Sequence, residues 1–468
     1  MRGINRPPAM KLIRFQRFGF MVFALLGAIL CFSPTAKAQL TTADILGTVT
    51  DNTGAVLAKA KVTLTNLATH ETRIAESNKV GEYVFTFLQP GSYSVHVEAQ
   101  GFKGYKSEVT VVGGDRARVD APMQLGQNTE NVLVEATTPL LQADDSTVHA
   151  TVTERAVQDL PLPTRNLTSL IVLTPGANEA ASIDGLGSGQ RPDDRRQTNT
   201  FSVNGQDDVL NNELIDGTDN NERVIGTIGV KPSVDAIEEV SVQTNEYAPE
   251  VGRTAGGVIS VITKSGTNNF HGSAYEFLKN TVFDARNPFN PVPNATTPID
   301  PQAKLNQNDF GGSVGGPIIH DRTFFFVAYE AFRQVAGVQN PIFSSVPTLA
   351  ERALGPQGIV NSDPQTTGMA VDPIAAQLFN LYPAPNTGAA GATSLNFVYD
   401  PNQTQFSHTG DVRVDHHFTD KDLFYARYTV NSVATNIPNN LPSVSSLLST
   451  SSCPLTEKVL VWRRSSGR

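Results

Sequence analysis

The chain has 468 residues, a formal net charge of −9 and 39% hydrophobic residues, a length that calls for several domains. Its mean hydropathy of −0.19 excludes a bundle of membrane-spanning helices, and a mild acidic balance without a basic stripe argues against a nucleic-acid partner. The two cysteines, Cys31 and Cys453, have no near partner, which argues against a disulfide scaffold and a cysteine-held zinc site.

The N-terminus sets the compartment. Arg2, Arg6, Lys11, Arg14 and Arg17 precede an apolar run over 19–32, and Ala36-Lys37-Ala38 supplies a small-x-small cleavage signal before Gln39. This order predicts a secretory signal peptide over 1–38. A membrane anchor is the alternative, but the run falls short of the roughly 20 apolar residues that a spanning helix needs.

Residues 39–126 read as a small β domain. Apolar alternation over 45–50, 61–67, 83–88, 93–99, 109–112 and 118–125 is separated by Asp51-Asn52-Thr53-Gly54, Pro90-Gly91 and Gly113-Gly114-Asp115. This spacing predicts an antiparallel β-sandwich of about seven strands. The segments GTVTDNTGAVLAKAKVTLTN and GEYVFTFLQPGSYSVHVEAQGF resemble the carboxypeptidase-regulatory-like fold. That resemblance implies no peptidase activity: His70 and His96 stand alone as solvated strand positions, and zinc-ligand spacing is missing.

Residues 127–136 form a polar hinge around the apolar patch Val132-Leu133-Val134. Further on, Leu160-Pro161-Leu162-Pro163-Thr164-Arg165-Asn166 leads into a leucine-rich run over 167–173 and then Thr174-Pro175-Gly176. The pattern predicts a short helix with Thr164 as N-cap and Pro-Gly as its stop. Residues 177–196 are rich in Gly, Ser and charge and predict a loop. Two short strands follow, ended by Asn204-Gly205 and Asp216-Gly217 turns. Two longer runs, 240–244 and 258–263, flank Gly252-Arg253-Thr254-Ala255-Gly256-Gly257, a small-residue turn suited to close passage of backbone against backbone. Asp216, Asp219, Asn220 and Asn221 lack the ligand order of a calcium loop.

From Phe270 onward long aromatic strands take over, with TFFFVAYEAF at 323–332 and DVRVDHHF at 411–418. At 424–430, Phe, Ala, Tyr and Val alternate with Tyr, Arg and Thr. Apolar-out, polar-in alternation over about ten residues is the mark of a transmembrane β-strand, since only a closed barrel satisfies every backbone group in lipid. Residues 287–308 and 336–405 predict long extracellular loops. The sequence Gly311-Gly312-Ser313-Val314-Gly315 matches a hydrolase elbow in letters, but β alternation continues on both sides, so Ser313 is not expected to be catalytic.

The motifs FSVNG, LIDGTDNN, DAIEEVSVQTNEYAPEVGRTAGGVISVITKSGTNNFHG and NDFGGSVGGPIIHDRTFFFVAYEAFR together resemble TonB-dependent outer-membrane receptors. The resemblance is to the Oar-like branch, with a carboxypeptidase-regulatory-like domain in front. It implies a mainly β chain: a β-sandwich, a small α+β plug domain over 137–265, and the first strands of a transmembrane β-barrel from 266. It also implies a TonB box, the extended segment gripped by TonB in the periplasm, at Thr129, Glu130, Asn131, Val132, Leu133 and Val134; as a residue pattern this is equally a first plug strand. The implied partners are TonB, outer-membrane lipid and an unidentified extracellular substrate. Catalytic residues, metal and cofactor are absent from the expectation.

The resemblance has a limit. Receptors of this type close a barrel of about 22 strands, and the residues after Gly266 accommodate only a handful at roughly ten residues each plus loops. The tail from Cys453 to Arg468 lacks a closing aromatic strand, so a truncated barrel is expected. The alternative reading is a periplasmic or surface binding and adhesion protein that uses the sandwich to recognise glycan or protein.

Overall fold

A computed structural model describes residues 42–126, 131–134, 148–159, 170–179, 201–222, 228–247, 254–285, 304–337, 342–388, 391–399, 401–419, 422–436 and 455–466. The signal-peptide segment, Thr129, Glu130 and Thr164 lie outside these residues.

The sandwich comprises β1 (Ala43–Asp51), β2 (Lys61–Asn66), β3 (Thr72–Glu76), β4 (Glu82–Leu88), β5 (Gly91–Glu98), β6 (Gly104–Val111), β7 (Arg116–Arg118) and β8 (Ala121–Met123). One sheet has β4 and β1 paired, with β7 and β8 along β1; the other runs β3-β2-β5-β6 and continues into β9 (Asn131–Val134). Alternation along β1, β2 and β5 sends Ile45, Val62, Leu64, Val95 and Val97 into one core between the sheets, where burial is worth about 25 cal/mol per Å² of apolar surface. The Tyr83 hydroxyl enters that core because it donates to the Val119 carbonyl at 2.6 Å.

Three details differ from expectation. The sandwich is not wholly antiparallel: β1 is parallel to β7 and β8, because the chain crosses between sheets at Gly113-Gly114-Asp115 and comes alongside β1. Strand β3 gave no alternation signal, since its apolar Ile74 is exposed. His70 is not in a strand; it sits in the turn between β2 and β3 with φ 60°.

The second layer is a sheet in the order β10-β15-β16-β13-β14. Its strands are β10 (Val148–Thr153), β13 (Asn212–Ile215), β14 (Thr218–Asp219), β15 (Ile237–Asn245) and β16 (Val258–Thr263), with β11 (Ala177–Glu179) and β12 (Phe201–Val203) paired beside it. The β15–β16 register sets Val240 against Val261 and Val242 against Ile259, and these pack with Ile215, Leu170 and Ile171. Asn204-Gly205 and Asp216-Gly217 both have two consecutive positive φ values (53° and 74°; 47° and 70°), the backbone that tight Asn-Gly and Asp-Gly turns require. The close approach expected near Gly257 is present: a Cβ there would lie 2.8 Å from Val203. Leu170 and Ile171 are helical and fully buried, and the helix has ended by Gly176, φ 88°. An additional short helix, Glu154–Asp159, was not foreseen, because six residues hold too little periodicity to read. Of the predicted loop, Ala177–Glu179 is a strand and residues 180–196 lie outside the described part.

The third layer is a six-stranded antiparallel sheet, β17 (His271–Asn280), β18 (Leu305–Ile319), β19 (Thr323–Gly337), β22 (Asn402–Thr419), β23 (Asp422–Asn436) and β24 (Leu455–Ser466), each paired to the next. The sheet is open, with β17 and β24 at its edges among the described residues. The tail forms a strand over Leu455–Ser466 paired with β23, and among the described residues it does not close the sheet onto β17. Both predicted long loops are shorter than expected, because β18, β19 and β22 extend into them. Between β19 and β22 the chain forms helices Leu349–Ser362 and Pro373–Leu381 and a small pair, β20 (Ile342–Ser344) with β21 (Phe397–Tyr399). Ser313 lies mid-strand in β18, its hydroxyl 2.9 Å from that of Ser273.

Candidate functional site

The alternation in β22 and β23 sorts side chains by polarity. Asp411, Arg413 and Asp415 on β22, and Tyr425, Arg427 and Thr429 on β23, are buried against the second layer, while Val412, Phe418 and Tyr428 are exposed on the opposite face. Period two along a strand forces this partition, and it brings charge from the sheet wall against charge from the inner layer.

The centre of the contact is Asp216, at the turn that ends β13. Its two carboxylate oxygens accept from the Thr263 backbone N–H at 2.9 Å and the Thr263 hydroxyl at 2.8 Å. From the wall, Arg413 Nη1 lies 3.5 Å from Asp216 Oδ1, and Arg427 Nε lies 2.8 Å from Oδ2. The Arg427 Nε–H is not aimed at that oxygen, so the contact counts as an ion pair and not as a hydrogen bond. Arg413 also donates to Asp415 through Nε and Nη2, at 3.0 and 2.9 Å, and to the Thr263 carbonyl at 2.6 Å. Tyr425 closes the group: its hydroxyl donates to the Asp216 carbonyl at 3.0 Å and its ring lies 5.0 Å from the Arg413 guanidinium carbon. Two carboxylates and two guanidiniums thus neutralise one another, with side-chain exposures between 3% and 8%.

The network continues along the wall. Arg427 donates to Thr429, and Thr429 donates to Asp411 at 2.8 Å. Asp411 accepts from the Ser233 backbone N–H at 2.9 Å, and Glu330 on β19 accepts from the Ser233 hydroxyl, the Val234 N–H and the Tyr275 hydroxyl. Beside these, Ala236 packs against Phe326 and Ala328. Buried charges that are paired and hydrogen-bonded are tolerated, but removing one partner costs about 3–5 kcal/mol. The arrangement holds the inner layer firmly, yet water entering it would solvate every ion and weaken the grip. A hydrophobic interface has no such release.

The sandwich meets the inner layer and the wall at a separate set of contacts. Glu239 on β15 accepts from the Gly113 backbone N–H, and His149 on β10 lies 3.6 Å from Asp115. Burial, opposed by that hydrogen bond, pushes the Glu239 carboxyl up to about 8. Asn268 donates to the Thr69 carbonyl and to Asp321, and His417 lies 3.6 Å from Glu71.

The residues singled out from sequence fall elsewhere. Asn131–Val134 form β9, paired in parallel with β6: Gly104 beside Asn131, Tyr105 beside Val132, Lys106 beside Leu133 and Ser107 beside Val134. Asp219 and Asn220 serve their own loop, accepting from Asn221 and bonding Val230. Sequence reading did not foresee the ion cluster. Its signal was there: Asp411, Arg413 and Asp415 alternate on one strand face, where a lumen filled with water would not need them to be paired.

Residues 262–462 match the family described as outer membrane beta barrel domain, and residues 44–124 match the carboxypeptidase regulatory-like domain. The chain is 28% identical over 319 residues to the TonB-dependent transporter Oar of Myxococcus xanthus, an alignment covering 65% of this chain and 28% of that protein. It is also similar to the outer membrane transporter YddB of Escherichia coli, with a TM-score of 0.43, 12% identity and coverage of 68% and 37% of the two chains. For the siderophore receptor PirA of Acinetobacter baumannii the values are 0.41, 15%, 68% and 37%. The chain spans well under half the length of each of these relatives. Two domain matches in this order, and an Oar relative aligned over most of the chain, make this chain similar to a TonB-dependent transporter and give it matches to an outer membrane beta barrel domain and, in front of that, a carboxypeptidase regulatory-like domain.

Proposed function

We propose that this protein acts in energy-coupled uptake across the outer membrane. Substrate binds on the extracellular side, among the plug and the long loops. TonB grips the segment Thr129, Glu130, Asn131, Val132, Leu133 and Val134 in the periplasm, and its pull, powered by the inner-membrane proton gradient, rearranges the plug. Residues 1–38 are then a signal peptide, 39–126 the periplasmic sandwich, 127–136 the hinge, 137–265 the plug and the residues from 266 barrel. No covalent chemistry is asked of the chain.

The observation that carries this reading is the buried Asp216–Arg413–Arg427–Asp415 cluster between inner layer and strand wall. A permanent filling would be more stably made of apolar side chains of the same volume. A charged, hydratable contact suits a plug that must be both seated and displaced. The test is deletion of residues 129–135 in the full chain. Loss of crosslinking to TonB supports the reading; unchanged crosslinking rejects it.

A further inference from the structure

The chain after the sandwich does not hang free. Residues 124–126 run beside 101–103: Lys103 N–H donates to the Gln124 carbonyl at 2.7 Å, and Gly126 N–H to the Gly101 carbonyl at 3.2 Å. This delivers the next residues to the start of β6, where Asn131–Val134 add as a parallel strand. Without β9, β6 would be an edge strand of the sheet β3-β2-β5-β6, with a row of unpaired backbone groups. Such an edge is a ready template for an added strand.

The platform is itself anchored. Strand β6 ends at Val111, and two residues later Gly113 donates to Glu239 of the plug sheet, with Asp115 beside His149. At the same end of the sandwich, the turn after β2 bonds Asn268 and Glu71 faces His417. The edge that carries β9 is therefore held in place relative to the plug and the strand wall.

We propose that the outer edge of β6 is the resting site of the coupling strand Asn131–Val134, and that TonB must displace β6 from this strand before it can pull. The inference rests on the reading of 129–134 as the segment TonB grips. Both β6 and a TonB sheet edge compete for the same backbone donors and acceptors, so engagement is a strand exchange. A linker of four residues between Gly126 and Asn131 keeps the intramolecular competitor at an effective concentration of order mM. Binding in trans is weakened by the fraction of time the strand is stored.

The test uses the full chain with both native cysteines replaced (Cys31→Ser, Cys453→Ser) and the pair Lys106→Cys and Leu133→Cys, neighbours in the register at a spacing a disulfide can bridge. The probe is the isolated periplasmic domain of TonB. The expected result is that the disulfide forms and that oxidised protein binds TonB more than about tenfold more weakly than reduced protein. As an independent variant, inserting about a dozen Gly and Ser residues after Gly126 lengthens the linker fourfold and should strengthen TonB binding by up to about eightfold. Failure of the disulfide to form, or unchanged TonB binding when it has formed, overturns the proposal. An insertion that leaves affinity unchanged also counts against it. Deletion of 129–135 separates the two readings. If deletion abolishes TonB binding while the oxidised pair does not weaken it, the storage site falls and the coupling segment stands. If deletion leaves binding intact, the coupling segment itself is wrong.

Discussion

Asp216→Asn is the sharpest test of the ion cluster. The substitution keeps an oxygen to accept from the Thr263 N–H and changes volume very little, but it removes the charge that Arg413 and Arg427 share. Arg413 retains Asp415 at 2.9 Å. Among the described residues, Arg427 retains the hydroxyl of Thr429 and the more distant charges of the wall. A buried guanidinium left without its carboxylate costs about 3–5 kcal/mol, against about 1 kcal/mol for a neutral hydrogen bond. The cost falls on the contact between inner layer and wall, so it appears as easier local opening and not as global unfolding. Hydrogen exchange at the Thr263 amide, which Asp216 holds directly, reads that opening. Protection should fall by about two to three and a half orders of magnitude, at 1.4 kcal/mol per decade. Asp216→Ala should fall slightly further, because the acceptor is lost as well. Arg427→Met should relieve most of the penalty when combined with Asp216→Asn, giving strong non-additivity. Protection changed by less than tenfold in Asp216→Asn, or simple additivity with Arg427→Met, would refute the electrostatic account.

Other perturbations probe other links. Gly47→Val in β1 drives a side chain into the Val119 carbonyl, and overpacking against backbone is not relieved by rotamer changes; loss of protection across β1, β4 and β8 is expected. On the proposed barrel reading the exposed face of β22, which carries Val412, turns to lipid, where a charge costs up to about 2–4 kcal/mol; the yield of membrane-inserted protein in Val412→Arg should then drop, with Val412→Leu as the unchanged control. The seating of the sandwich on the inner layer should depend on pH. The Glu239 carboxyl is pushed up to about 8 from its ordinary 4.5, chiefly by burial. The docked state therefore binds a proton over that window which the undocked state has lost, so docking weakens as pH rises from about 4.5 to about 8. Glu238, Asp115 and His149 face the same carboxyl, so the comparison is made with Glu239→Gln, which keeps an acceptor for Gly113; exchange at the Gly113 amide, corrected for intrinsic rate, should lose its extra slope in that variant.

Much of the fold was legible because it rests on period two. The runs at 45–50, 61–67, 240–244 and 258–263 became β1, β2, β15 and β16, and the polarity split in DVRVDHHF became two faces of β22. Asn-Gly and Asp-Gly dipeptides marked real turns because few other residues accept two positive φ values in succession. What escaped had no periodic signal. Strand β3 carries a single exposed apolar residue, and the helix Glu154–Asp159 is under two turns long. The parallel placement of β7 and β8 is a matter of where the chain crosses between sheets, which local pattern does not encode. The ion cluster was half visible: alternating charge on a strand announces an inward face, but pairing with Asp216, nearly 200 residues earlier in the chain, is a tertiary fact. Val132-Leu133-Val134 read equally as a coupling segment and as a first plug strand; its backbone joins the sandwich sheet and not the β10-β15-β16-β13-β14 sheet, a pairing that local pattern does not encode.

The most direct measurement of the central claim is in-cell crosslinking from Val132→Cys, in a chain with Cys31 and Cys453 replaced, to a cysteine scanned along the periplasmic domain of TonB. The account predicts an adduct with TonB that disappears when the inner-membrane complex is deleted and does not form from a control cysteine at Thr63, within the sandwich. Absence of any adduct from Val132 while the protein is folded in the outer membrane, or equal adducts from both positions, would contradict it.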